Sequence, residues 1–283
     1  MLKVCLNGGR SRREHPAVPV TGAELAADAV ACVASGVTAI HLHPRDHDGA
    51  ETLAATFVAE SVAAVRAACP GTPIGISTGA WIVPEPAARV AAVRSWVTLP
   101  DFASVNAHEP GAEAVAMALH ERGIGVEAGL WTPDAVAAYR RWRVPVHRVL
   151  LECLRPDPDG ATAQAEELLA ALRAGGPDAA ADTQPADTQP ADTQPADTQP
   201  ADTDTADTDT AEPAETGTGA AAEPEPPVLL HAEGPGTWPV LALAVRYGLH
   251  TRIGLEDTAE LPDGSPAPDN LALVAAAVAL GAR

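Results

Sequence analysis

The sequence predicts an α/β fold: a (β/α)8 TIM barrel carrying a disordered, acidic, low-complexity insertion between its sixth helix and seventh strand. Three observations carry this reading. Eight short apolar runs alternate strictly with eight Ala-rich stretches of helical character, the pattern of parallel strands joined by helical crossovers. The alternating part amounts to about 230 residues, a usual size for such a barrel. The first strand runs into Leu6-Asn7-Gly8-Gly9-Arg10-Ser11, which is not the GxGxxG that often accompanies the main rival fold, a doubly wound open sheet.

In order, the strands are expected at Lys3–Leu6, Ala39–His43, Pro73–Ser77, Phe102–Asn106, Gly125–Ala128, Val149–Glu152, Val228–His231 and Arg252–Leu255. Each is a short apolar run of the length strands favour. The helices between and after them are expected at Gly22–Ser35, Ala54–Ala68, Glu85–Ser95, Ala112–Glu121, Pro133–Trp142, Ala161–Ala174, Thr237–Tyr247 and Pro268–Gly281. Thr21 and Thr132 stand where N-caps belong, and Pro133 follows Thr132 at the first helical position, where its missing N–H costs nothing.

The stretch from Ala181 to Thr210 repeats Ala-Asp-Thr-Gln-Pro and then Ala-Asp-Thr-Asp-Thr. Such a sequence cannot bury a core, so disorder is expected over about 175–226, inside a single domain spanning 1–283. Loop-closure entropy grows slowly with length, so an expansion there is tolerated. The segment also explains the charge. The chain carries a formal net charge of −20, but 181–226 holds eight Asp and four Glu with no Lys or Arg, leaving −20 + 12 = −8 for the rest. Nothing suggests a basic groove for nucleic acid. The N-terminus lacks the basic and apolar regions of a signal peptide, and no apolar run is long enough to span a bilayer. Cys5, Cys32, Cys69 and Cys153 have no CxxC spacing and read as reduced core thiols of a cytoplasmic protein.

In a barrel of this kind, active sites form where the strands end at their C-terminal face. Every predicted strand here ends in polar residues. The second ends in Ile40-His41-Leu42-His43-Pro44-Arg45-Asp46. Side chains at i and i+2 of a strand share a face, so His41 and His43 stand side by side. They are either two half-buried histidines with ordinary hydrogen bonds or two metal ligands. The third strand runs into Ser77, Thr78 and Gly79; the fourth places Ser104 and Asn106 on one face; the fifth and sixth end at Glu127 and Glu152; the seventh offers His231 and Glu233. The eighth, Thr251-Arg252-Ile253-Gly254-Leu255-Glu256-Asp257, puts Arg252, Gly254 and Glu256 on one face. Glu256 could supply an oxygen to a His2Glu site with an open position, an arrangement of catalytic zinc. Asp257 beside Arg252 is either a proton acceptor or a structural ion pair.

The motifs His41-Leu42-His43-Pro44-Arg45-Asp46, Ile76-Ser77-Thr78-Gly79, Ser104-Val105-Asn106-Ala107, Val126-Glu127 and Arg252-Ile253-Gly254-Leu255-Glu256-Asp257, in this order, resemble those of the β-keto acid cleavage enzymes. That family includes the 3-keto-5-aminohexanoate cleavage enzymes. His15-Pro16-Ala17-Val18-Pro19-Val20-Thr21 adds to the likeness. The resemblance implies a metal-dependent barrel holding one divalent ion, usually Zn2+, on His41, His43 and Glu256. It implies an acyltransferase in which a β-keto acid and acetyl-CoA give acetoacetate and a new acyl-CoA. Asp257, supported by Arg252 and Ser77, would be the catalytic base; Thr78, Gly79, Ser104, Asn106 and Glu127 match substrate-binding positions. A homo-oligomer, commonly a tetramer, is implied as well.

The sequence departs from the pattern in one informative place. Relatives acting on amino-substituted acids have a Glu just after the first strand, where this chain has Gly8, Gly9 and Arg10. A substrate with a neutral or anionic tail, paired with Arg10, is therefore expected. Arg10, Arg12 and Arg13 form either a solvated loop or a contact for CoA phosphates. Two rival readings are an amidohydrolase-like metal hydrolase and a non-catalytic barrel. The first is disfavoured because its HxH closes strand one and further His ligands follow strands five and six.

Overall fold

A computed structural model of the chain describes residues 1–174 and 225–283. The expected insertion at 175–226 lies, but for its last two residues, outside the described residues. The first strand, β1 (Leu2–Cys5), leads through a long loop to α1 (Gly22–Ala34). Thr21 caps α1 by accepting from the Glu24 N–H, while the Glu24 carboxylate accepts from the Thr21 N–H. This reciprocal box satisfies two end donors and contributes about 1 kcal/mol. There follow β2 (Ala39–Leu42), α2 (Ala55–Ala68), β3 (Ile74–Ser77), α3 (Pro86–Ser95), β4 (Phe102–Asn106), α4 (Ala112–Glu121), β5 (Gly125–Leu130), α5 (Pro133–Tyr139), β6 (Arg148–Cys153) and α6 (Pro158–Arg173). Beyond residue 225 come β7 (Val228–Ala232), a 3-10 turn at Gly234–Gly236, α7 (Thr237–Arg246), β8 (Thr251–Ile253) and α8 (Asn270–Ala279).

All strand pairs are parallel, in the order β7-β6-β5-β4-β3-β2-β1-β8. The ring closes where the His250 carbonyl accepts from the Leu230 N–H at 2.9 Å and the His250 N–H donates to the Val228 carbonyl at 3.1 Å. The expected (β/α)8 barrel is therefore the fold. Alternate strand positions divide the labour. Leu2, Val4, Ile40, Leu42, Ile74, Ile76, Ala103 and Val105 are fully buried in the layer between strands and helices. The residues between them carry the polar groups of the interior, as the two-residue period requires.

Helix ends differ from the sequence expectation where a cap decides them. α6 begins at Pro158, not Ala161, because Asp157 accepts from the Gly160 N–H at 2.7 Å and Pro158 suits the first helical position. α8 begins at Asn270, not Pro268, because the Asp269 side chain accepts from the Ala272 N–H. β8 stops at Ile253, short of Leu255, where Gly254 presses on the first strand. A Cβ at Gly254 would lie 1.9 Å from the Cys5 carbonyl oxygen, so only glycine fits. Asn270 then pins this corner. Its amide donates to the Leu6 carbonyl and to Asp28, and its carbonyl oxygen accepts from the Leu255 N–H at 2.6 Å.

Candidate active site

At the C-terminal ends of the strands lies a pocket of about 360 Å3. The register explains its composition. Cys5 pairs with His41, Ser77 with Ser104, Glu152 with His231, and Lys3 with Arg252, so the polar residues that end the strands arrive at one mouth. Of the residues singled out in the sequence, His41, His43, Ser77, Ser104, Asn106, Arg252 and Glu256 line it.

His41 Nε2 and His43 Nε2 are 3.1 Å apart. Glu256 Oε2 lies 3.8 Å from the first and 3.7 Å from the second. Ligand atoms around a tetrahedral zinc, bonded at ~2.0–2.2 Å, are separated by about 3.4 Å, so the triangle is the size of one ion. The hydrogen bonding says the same. Glu256 gives Oε1 to Arg252 at 2.9 Å, while Oε2 is buried without a hydrogen-bond partner among the described residues. A buried carboxylate oxygen left without a donor is costly, and a cation between it and the two imidazoles would remove that cost. Burial would push the Glu256 carboxyl up, but Arg252, His41 and His43 hold it below the usual range. Burial likewise holds His41 well below the usual imidazole value, so it presents a lone pair rather than a charge.

One part of this arrangement had no signal in the sequence. Asp46 turns the chain after β2, with its side chain accepting from the Asp48 and Ala50 N–H groups. This brings Glu51 back beside the site, where Oε1 lies 2.5 Å from His43 Nδ1. A proton on Nδ1 leaves Nε2 of His43 as the lone-pair nitrogen, the usual way a carboxylate fixes a metal-binding tautomer. Trp81 Nε1 donates to the same oxygen at 3.1 Å, and its ring stacks on His43. The turn-forming residues Asp46-His47-Asp48-Gly49 are the one sequence feature that could have indicated a reversal here. Nothing in them marked Glu51 as its payload.

Arg252 organises the other side. Nε and the NH2 nitrogen donate to Asp257 Oδ1 at 3.0 and 2.7 Å. Asp257 is buried and not on the pocket wall, although a carboxylate oxygen lies within 4.8 Å of oxygens of Glu233 and Glu256, which do line it; its Oδ2 has no hydrogen-bond partner among the described residues. Burial favours its neutral form, but Arg252 and then His231 keep the carboxyl below the usual range. His231 itself sits behind the wall, 3.5 Å from both Glu152 and Asp257. Glu152 and Glu233 do line the pocket. Burial and then Glu152 push the Glu233 carboxyl up, although 43% of its side chain meets solvent.

Three residues expected at the substrate stand elsewhere. Glu127 is wholly buried inside the barrel, with Lys3 at 2.5 Å on one oxygen and Arg148 at 2.8 Å on the other. Both cations lie over the Phe102 ring. Two buried cations demand a buried anion, and Glu127 meets that need rather than facing the pocket. Thr78 is also fully buried, its hydroxyl donating to the Ser104 carbonyl at 2.7 Å. Gly79 is not on the wall; it lies under the Trp81 ring, where a Cβ would stand 2.3 Å from the indole. Asn106 is in place, its amide donating to Glu109 at 2.9 Å, and Glu109 is in turn paired with the buried Arg89.

The chain has recognisable relatives. A family model described as beta-keto acid cleavage enzyme matches residues 1–144 and 216–283. The curated 3-keto-5-aminohexanoate cleavage enzyme of Fusobacterium nucleatum subsp. nucleatum is 35% identical over 80 residues, which is 28% of this chain and 29% of that enzyme. Two solved structures of ObcA, a binary complex with oxaloacetate and a ternary complex with a C4-CoA adduct and oxalate, share the fold. Each has a TM-score of 0.58 and 15% identity, and the match covers 92% of this chain and 62% of ObcA. The chain thus spans under two thirds of the length of these relatives. Among the described residues, no helix is long and apolar enough to cross a membrane.

Proposed function

The chain belongs to the beta-keto acid cleavage enzyme family, and from that premise we propose that it converts a β-keto acid and acetyl-CoA into acetoacetate and a new acyl-CoA. The observation that carries the reading is the triangle of His41, His43 and Glu256, with one carboxylate oxygen buried and aimed at two imidazole nitrogens. Those three residues would hold a divalent metal, zinc among the candidates, since nitrogen and oxygen donors also suit other ions. Bound there, the metal supplies Lewis-acid polarisation of a carbonyl oxygen.

The protein's own groups do the rest. Arg252 holds Glu256 and Asp257 at once. In this reading Asp257 is the base: Arg252 occupies Oδ1, so Oδ2 takes the proton from the carbon between the keto acid's two carbonyls, and because the carboxylate is buried off the pocket wall the transfer runs through one bridging water. A carboxyl kept ionised by Arg252 is ready for that step. Ser77, Ser104 and Asn106 offer short polar side chains on the wall to orient the acid. Gly9 and Arg10 stand on the wall directly after the first strand, with Glu14, Glu152 and Glu233 also lining the pocket, and in this reading Arg10 faces a neutral or anionic tail. The ObcA complexes with a keto acid and a CoA adduct are compatible with this pairing of substrates. A cytoplasmic, homo-oligomeric enzyme is part of the same reading.

Metal content and turnover test it together. Wild-type protein should retain about one divalent ion per chain and form acetoacetate only when acetyl-CoA is present; His43→Ala should lose both ion and turnover. Release of products without any thioester would replace the transfer reading with hydrolysis. A wild-type protein that takes up no metal when zinc, manganese or cobalt is supplied would overturn it.

A further inference from the structure

A second cavity, of about 500 Å3, adjoins the pocket and has no role in the reaction described above. Arg10, Arg12, Arg13, Arg45 and His47 line it, and Arg10 lines the pocket as well. The concentration of cations is unusual in a chain with 18 Lys and Arg against 38 Asp and Glu. The loop that presents them is pinned at several points. Arg45 donates to the carbonyls of Gly8 and Arg10, and Arg10 Nε donates to the Leu255 carbonyl at 2.6 Å. His15 Nε2 lies 2.9 Å from the Ala267 carbonyl, and Glu14 accepts from the Ser11 N–H and hydroxyl at 2.8 Å.

The anchors of Arg10 and Arg45 are backbone carbonyls for the most part, and the carboxylates that act on Arg45, Glu51 foremost, do so from beyond ion-pair distance. Among the described residues Arg10, Arg13 and Arg45 make no ion pair with a carboxylate; Arg12 pairs with Glu24, and both side chains are more than 40% exposed. The acidic groups nearby are engaged in their own turns. Glu14 is held by Ser11, and Asp46 accepts from the Asp48 and Ala50 N–H groups; Asp48 alone lies on the cavity wall. A preorganised set of planar, multiply donating cations suits phosphate oxygens.

We propose that this arginine cleft binds the phosphates on the nucleotide half of CoA, while the thioester end passes Arg10 into the catalytic pocket. The proposal rests on the reading that a CoA thioester is the co-substrate. It assigns a job to Arg12 and Arg13, which reach no catalytic group.

The test uses adenosine 3′,5′-bisphosphate, titrated calorimetrically into the full-length protein. Wild type should bind it, more weakly as salt is added. Arg12→Gln/Arg13→Gln should bind it about tenfold more weakly or worse, the scale of a lost charge-assisted hydrogen bond. Arg13→Glu provides a second variant that disturbs no ion pair and should weaken binding further. Absence of binding by wild type, or equal affinity in all variants, overturns the cleft assignment. Acetoacetate formation by wild type from acetyl-CoA, measured alongside, separates the two conclusions. Turnover without bisphosphate binding removes the cleft and leaves the reaction. No turnover removes the reaction, and with it the identity of the ligand.

Discussion

Gly8 is the residue on which the geometry of Glu256 depends. It sits at φ +52°, and a Cβ there would stand 2.3 Å from Glu256 Cγ, 2.8 Å from its Cβ and 3.0 Å from its Cδ. Ordinary carbon contacts are ~3.5–4.0 Å, so in Gly8→Ala the Glu256 side chain must retreat by about 1.5 Å. Metal–ligand bonds tolerate only about 0.2 Å. The oxygen now 3.7 and 3.8 Å from the two imidazole nitrogens would leave the triangle. Zinc affinity, measured by competition with a chromogenic chelator, should fall at least tenfold, approaching that of Glu256→Gln. The left-handed backbone adds a cost of about 1–2 kcal/mol for alanine, equivalent to a Tm lower by about 2–8 °C in a barrel of this size. The two effects are separable. An alanine variant that melts early but binds zinc as tightly as wild type would refute the claim that Gly8 exists to seat a metal ligand.

Three further outcomes follow from the same contacts. Glu51→Gln removes the carboxylate from His43 Nδ1; zinc affinity should drop about 10–100-fold, and unchanged affinity would show that the tautomer is set otherwise. Glu127 has its folded pKa lowered to about 2 from 4.5, since Lys3 and Arg148 overcome the effect of burial. Its ion pairs therefore contribute stability that is complete above about pH 4.5 and lost as pH falls towards 2, on the order of 3 kcal/mol. In Glu127→Gln, urea unfolding at a series of pH values should show a loss of about 3–5 kcal/mol near neutrality and a shallower decline on the acid side; an acid limb as steep as wild type's would count against it. Asn270→Ala leaves the buried Leu255 N–H and Leu6 carbonyl without partners. It should cost about 2–4 kcal/mol by urea unfolding, with zinc affinity reduced because the Glu256 turn loses its anchor; a loss under about 1 kcal/mol would mean that the corner holds without it.

The architecture was legible because it rests on short-range patterns. β4 and α4 occur at the residues the apolar runs and helix signals indicated, and Thr21 and Thr132 cap as their side chains require. His41 and His43 were legible because the two-residue strand period places them on one face; the same period was extended to Glu256, but β8 ends at Ile253, and the turn anchored by Asn270 is what carries Glu256 to the histidines. What escaped was set by distant partners. Glu127 ends an apolar run like any site residue, and nothing near it in sequence reveals Lys3 and Arg148 closing over it. Glu51 depends on a hairpin whose turn residues say where the chain reverses and not what returns with it. Arg12 and Arg13 were ambiguous in the sequence, since whether a guanidinium is neutralised depends on neighbours such as Glu24 and on the pinning of the loop.

The seam between β8 and β1 has a consequence for how the protein comes into being. His41 and His43 leave the ribosome well before Glu256, and Gly254 must nest against Cys5 before Glu256 can face them. No half-finished chain holds three ligands at once. In the metal-binding reading, loading and ring closure are one event: an ion captured by all three side chains bridges β2 to the end of β8 and rivets the last strand to the first. Metal supply would then govern the yield of closed barrels in the cell as much as the rate at which each one works.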